Sequence, residues 1–185
     1  LFTPENAIAY QQDLGADIIM ALDQCPAYTW DKEAVRDAME RTHRWAERCR
    51  TAHQSGSQAL FGIVQGGVFP DLRTESAAFL TELDFSGYAI GGLAVGEPKN
   101  AMYQVVAHTA KLLPQDRSRY LMGVGSPEDL VECVARGVDI FDCVLPTRVA
   151  RHGAVFTHQG RLNIYKSEFR GRHGPIENGC DCHTC

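Results

Sequence analysis

Gly137-Val138-Asp139-Ile140-Phe141-Asp142-Cys143-Val144-Leu145-Pro146-Thr147-Arg148 is the stretch on which the fold turns. A short apolar run carries two carboxylates, Asp139 and Asp142, and stops at a proline, and a basic segment follows. A run this short and this apolar reads as a strand covered on both faces, as in parallel sheets. Working outward, the pattern recurs upstream at residues 17–23, 59–65, 87–93 and 120–124. The runs end on Asp23, Gln65, Gly91-Gly92, Gly123 and Asp142.

Helical patterns fill the gaps. Thr3 can cap a helix that has Pro4 at its first position and Gly15 as its stop. Asp31 can cap a long helix reaching about residue 54, with Val35, Ala38, Met39, Thr42, Trp45, Ala46 and Cys49 as its apolar stripe. Ser126-Pro127-Glu128-Asp129 opens another helix, ending near Gly137.

Strand–helix alternation at this spacing predicts a parallel α/β fold. A doubly wound sheet gathers its ligands at one switch point. A (β/α)8 barrel turns every strand end toward one mouth. Five equipped ends favour a partial TIM barrel, expected over residues 1–150. Residues 151–185 are expected to form a β-hairpin around Gln159-Gly160 and the start of a metal-binding subdomain. Phe156 and Tyr165 are expected in its core, with stacking on RNA as the alternative.

The chain is long enough for one real core, and 44% hydrophobic with 22% charged residues suits a globular protein. No apolar run is long enough for a membrane span. A net charge of −5 excludes polyanion binding over the whole surface. Local potential decides phosphate binding, however, and between residues 143 and 175 the only acid is Glu168, against six Arg and Lys. Cys25, Cys49, Cys133 and Cys143 read as reduced core thiols. Cys180, Cys182 and Cys185 are spaced as metal ligands in a reducing cytoplasm. Leu1-Phe2-Thr3-Pro4 has neither a signal-peptide pattern nor an initiator Met, and the last residue falls within the cysteine motif. The chain is therefore expected to lack flanking parts at both ends.

On chemistry alone, Asp142 at a strand end can be a nucleophile, a general base or a helix-capping carboxylate. Gly62-Ile63-Val64-Gln65-Gly66-Gly67, Gly91-Gly92-Leu93-Ala94-Val95-Gly96-Glu97, Tyr120-Leu121-Met122-Gly123-Val124-Gly125, Phe141-Asp142-Cys143-Val144-Leu145-Pro146-Thr147-Arg148 and the final Cys-x-Cys-x-x-Cys together resemble the tRNA-guanine transglycosylases (queuine tRNA-ribosyltransferases). They run in the family's order and span essentially the whole chain.

The resemblance implies that Asp142 attacks ribose C1′ of a tRNA guanosine, with retention through a covalent ester. Asp139 is read as structural. Asp23, Gln65 and the Gly92 N–H would read the edge of a guanine-like base, and Tyr120 and Met122, which unaided read as core, would sandwich it. Leu93-Ala94-Val95 resembles the bacterial type, in which the Leu93 carbonyl accepts from 7-aminomethyl-7-deazaguanine, the queuine precursor. Arg148 and Arg151 would contact the anticodon loop of tRNAs with a GUN anticodon. Cys180, Cys182 and Cys185 would hold a structural zinc, completed in the family by a downstream His. A homodimer and a cytoplasmic location are implied too. Asp23-Gln24-Cys25 departs from the family's frequent Asp-Glu-Cys, and the family's acid/base motif Asp-Ser-Gly-Gly-Phe-Gln is absent. The isolated chain is expected to be inactive and marginally stable. A silent tRNA-binding paralogue and an archaeosine-type transglycosylase are the competing readings.

Overall fold

The computed structural model describes residues 2–54 and 56–185. The chain divides into two compact units, residues 1–143 and 144–185.

The first unit repeats helix and strand: α1 (Pro4–Leu14), β1 (Ile18–Met20), α2 (Lys32–Ala52), β2 (Ala59–Val64), α3 (Pro70–Glu82), β3 (Gly87–Ile90), α4 (Lys99–Leu112), β4 (Ser118–Leu121), α5 (Pro127–Val134) and β5 (Ile140–Phe141). All five strands are parallel and lie in the order of the sequence. A doubly wound sheet reverses its order at a switch point. No reversal occurs here, so the sheet is an arc of a (β/α) barrel, and all five strand C-termini share one rim.

Local chemistry starts and stops the helices where the sequence predicts. The Thr3 hydroxyl accepts the Asn6 N–H, and Gly15 closes α1 in the left-handed region at φ 71°. Asp31 accepts the Ala34 N–H, and Ser126 accepts the Asp129 N–H. α5 ends at Val134, three residues before Gly137, because Gly137 N–H already bonds the Val134 carbonyl in a turn. In α2 the buried set includes His43, while Trp45 is only half-buried. His43 stacks on Phe79 at 4.3 Å between centroids, and Ser76 Oγ meets its Nε2 at 2.9 Å, so a polar residue joins the core with a partner.

The sheet packs on its helices through Leu60, Val64, Leu80, Phe85, Tyr88, Ile90, Val106 and Leu121. Each aliphatic side chain of this kind contributes about 1.5–3 kcal/mol on burial. Gly87 has its functional reason in β2, since a methyl group there would lie 2.3 Å from the Phe61 ring. Cys49 and Cys133 are buried as expected, whereas Cys143 is half-buried and Cys25 is exposed. Cys25 follows the end of β1, in the loop at the rim rather than in the interior.

The second unit holds α6 (Leu145–Arg151), an antiparallel pair β6 (Ala154–Thr157) and β7 (Gly160–Asn163), and a short 3-10 turn (Ser167–Phe169). The hairpin is present, but His158 and Gln159 make its turn. Thr157 pairs with Gly160, so Gly160, expected in the turn, already opens the second strand. Phe156 and Tyr165 are 47% and 71% exposed, not core. Two strands and one short helix offer too little cover for both rings.

Candidate active site at the strand ends

Loops after β1, β2 and β3 bring the first group of expected residues together. Gln65 Nε2 donates to Asp23 Oδ2 at 2.6 Å. Gln65 is fully buried and Asp23 half-buried. Burial pushes the Asp23 carboxyl above the usual range, and the Gln65 bond partly offsets this. Gly91 and Gly92 face the same amide: methyl groups there would lie 2.7 Å from Gln65 Nε2 and 2.4 Å from its Oε1. Gly92 also has φ 67°, so glycine serves conformation and space together.

Beyond Leu93 the chain is held by Glu97, whose carboxylate accepts the Ala94 and Val95 N–H groups. The trans peptide then directs the Leu93 carbonyl away from Glu97. The role of Glu97 was missed in the sequence, although its spacing after two glycines was visible.

The second group lies at the C-terminal ends of β4 and β5. Asp142 is exposed at the rim. Its Oδ1 accepts the Tyr120 hydroxyl at 2.7 Å and the Gly123 N–H at 2.7 Å. Among the described residues of its unit no hydrogen bond reaches Oδ2, so the carboxylate is oriented through one oxygen. Burial, then the bond to Asp142, push the Tyr120 phenol well above its ordinary range, so it stays a donor. Met122 and Tyr120 are half-buried rather than core. Asp139 accepts the Arg119 N–H at 2.8 Å, tying β4 to β5, a structural contact.

In the second unit Arg148 and Arg151 are exposed on α6. The sulfur atoms of Cys180, Cys182 and Cys185 lie within 4.8 Å of one another, and no His, Asp or Glu joins them among the described residues. The Cys185 N–H, then the neighbouring thiols, lower the Cys182 pKa. Convergent soft ligands of this kind fit a tetrahedral metal ion.

The first unit is thus a (β/α)-barrel arc with two carboxylates and a buried amide at its strand ends, and the second carries a tri-cysteine cluster with the spacing of a metal-ligand set. The family model for queuine tRNA-ribosyltransferase matches residues 1–185. A queuine tRNA-ribosyltransferase of Dehalococcoides mccartyi is 58% identical over 183 residues, covering 99% of this chain and 47% of that protein. Those of Desulforamulus reducens and Staphylococcus aureus are 56% and 55% identical over 184 residues, covering 50% and 48% of their lengths. The chain belongs to the queuine tRNA-ribosyltransferase family. It spans about half the length of these relatives. None of its helices is long and apolar enough to cross a membrane, among the described residues.

Proposed function

We propose that this chain carries the nucleophile and base-reading parts of a bacterial-type tRNA-guanine transglycosylase. The enzyme exchanges the wobble guanine of tRNAs with a GUN anticodon for 7-aminomethyl-7-deazaguanine. The observation that carries this reading is the Asp142 carboxylate, held through one oxygen by Tyr120 and Gly123.

In the first step Asp142 Oδ2 attacks C1′ of the target nucleotide. The C1′–N9 bond breaks, and guanine leaves with the bonding pair and is protonated from water. In the second, N9 of the incoming base gives up its proton to water, attacks C1′ and expels the carboxylate. Two inversions retain the β configuration. A carboxylate suits the oxocarbenium-like transition state, as in retaining glycosidases. Asp23 accepts from the N1–H and amino edge of the base, Gln65 and the Gly92 N–H donate to its carbonyl, and the Leu93 carbonyl takes the aminomethyl group. Tyr120 and Met122 flank the ring. Arg148 and Arg151 grip anticodon-loop phosphates. The guanine is unstacked from the loop to reach the site.

Zn²⁺ on Cys180, Cys182 and Cys185 is structural here, and no step of the exchange runs through it. Residues 1–150 are read as part of the catalytic barrel and residues 151–185 as the hairpin and start of the zinc subdomain. The enzyme works as a cytoplasmic homodimer.

The test is incorporation of labelled guanine into unmodified GUN-anticodon tRNA by the whole protein, wild type against Asp142→Asn. Incorporation that is lost on substitution is expected. A wild type that binds tRNA without exchange indicates the silent paralogue, and full activity in Asp142→Asn rules out the nucleophile assignment.

A further inference from the structure

One helix grips the segment that presents Gln65 from behind. On α3, Arg73 donates Nη1–H to the Val64 carbonyl at 2.9 Å and Nε–H to the Gly67 carbonyl at 2.8 Å. One turn on, Ser76 accepts the Gln65 N–H at 3.1 Å. Arg73, Ser76 and Gln65 are all fully buried. No carboxylate forms an ion pair with Arg73 among the described residues, which is unusual for a buried charge.

The third arm of that guanidinium is the informative one. Nη2 is buried and makes no hydrogen bond among the described residues, and the same holds for Gln65 Oε1. A methyl group on Gly92 would lie 3.5 Å from Nη2 and 2.4 Å from Oε1, so donor and acceptor face one small space, within about 6 Å of each other. A separation of up to about 6 Å is one that a single bridging water can span.

The Gln65 amide has two orientations. In the one observed, Nε2 donates to Asp23 and Oε1 faces the space shared with Arg73. The reverse would set N–H groups against a guanidinium that can only donate. Asp23, as the acceptor of the Nε2–H, favours the observed orientation from one end of the amide. Arg73 can only donate, so it favours the same orientation from the other end. Resting on the function proposed above, we propose that Arg73 is a positioning residue for base specificity: its Nη2 holds Gln65 Oε1, directly or through one water, so that the amide always turns its donors toward the base. The site then selects an oxo group on the purine through a residue that does not touch the base.

The test compares guanine with 6-thioguanine, which differs only at the atom Gln65 would read. Binding of each is measured by calorimetry on the full-length protein containing this chain, alongside its thermal melting. Wild type is expected to prefer the oxo base, and Gln65→Ala to keep only the part of that preference set by the Gly92 N–H. Arg73→Met removes the donor and is expected to reduce the preference about tenfold, as for one lost hydrogen bond. Where Arg73→Met does not fold, Arg73→Lys carries the test, because an ammonium keeps the charge without the third arm. A preference ratio, unlike overall affinity, does not move with stability alone. Wild-type preference in a folded Arg73 variant overturns the proposal, as does a wild type that binds both bases equally. A wild type that does not bind guanine overturns the proposed function itself, and this inference with it.

Discussion

Tyr120 stands on β4 and Asp142 immediately follows the neighbouring parallel strand β5, and the tyrosine hydroxyl donates to Asp142 Oδ1 at 2.7 Å. Register explains the meeting. Tyr120 pairs with Ile140, so Asp142 lies two residues further along the same face. With the phenol pushed far above its ordinary pKa, the bond persists across the working pH range. Tyr120→Phe leaves only the Gly123 N–H to orient the carboxylate. Loss of one hydrogen bond to a charged group corresponds to about 1.5–3 kcal/mol, so guanine incorporation by the whole protein should slow by about 10–100-fold. An unchanged rate would show that Tyr120 does not orient the nucleophile.

Gly92 and Gly123 separate space from backbone. Both have positive φ, 67° and 74°. A methyl group on Gly92 meets Gln65 Oε1 at 2.4 Å, while one on Gly123 meets nothing within 4 Å. Gly123→Ala should therefore incur only the left-handed backbone cost, about 1–2 kcal/mol. Gly92→Ala adds a collision with a buried amide, for a total of about 2–4 kcal/mol, and should weaken guanine binding at least about tenfold. Denaturant midpoints and base-binding isotherms for the two variants distinguish the effects, and equal behaviour would remove the case for a crowded base pocket.

The barrel arc was legible because parallel buried strands carry their signal in short apolar runs and cap residues, as at Thr3, Asp31 and Ser126. The grouping of Asp23 with Gln65, and of Tyr120 with Asp142, follows from strand order once the sheet is known. Arg73 and His43 were not legible. Each sits on an otherwise amphipathic helix, and only the tertiary partners, the Val64 and Gly67 carbonyls and the Ser76 hydroxyl, turn a polar residue inward. Phe156 and Tyr165 misled for the opposite reason. Alternation marks which residues share a face but not whether anything covers it.

His43 gives the first unit a pH dependence. Burial lowers its pKa to about 4, against an ordinary value of 6.5. The unfolded chain therefore takes up this proton first. Its contribution to stability is complete above about pH 6.5 and declines as the pH falls toward 4. Between pH 7 and 5 this histidine should account for a loss of at most about 2 kcal/mol. Urea midpoints at the two pH values measure it. His43→Gln should remove this component, and an identical slope in the variant would place the dependence elsewhere.

The cysteine cluster places a metal-ligand set in one unit only. Three sulfur atoms within 4.8 Å repel as thiolates unless a cation sits among them, and the cluster belongs to residues 144–185. Cys182→Ser removes one of the three convergent sulfur ligands, so the zinc content of the purified protein should fall to a small fraction of the wild-type value. Cys133→Ser changes a buried thiol in the first unit and should leave zinc content intact. Chelation of the wild type should raise amide hydrogen exchange across β6 and β7 while β2 and β3 stay protected, because local stability follows local contacts. Full zinc content in Cys182→Ser would refute the site, and exchange rising equally in both units would show that the metal stabilises more than the hairpin region.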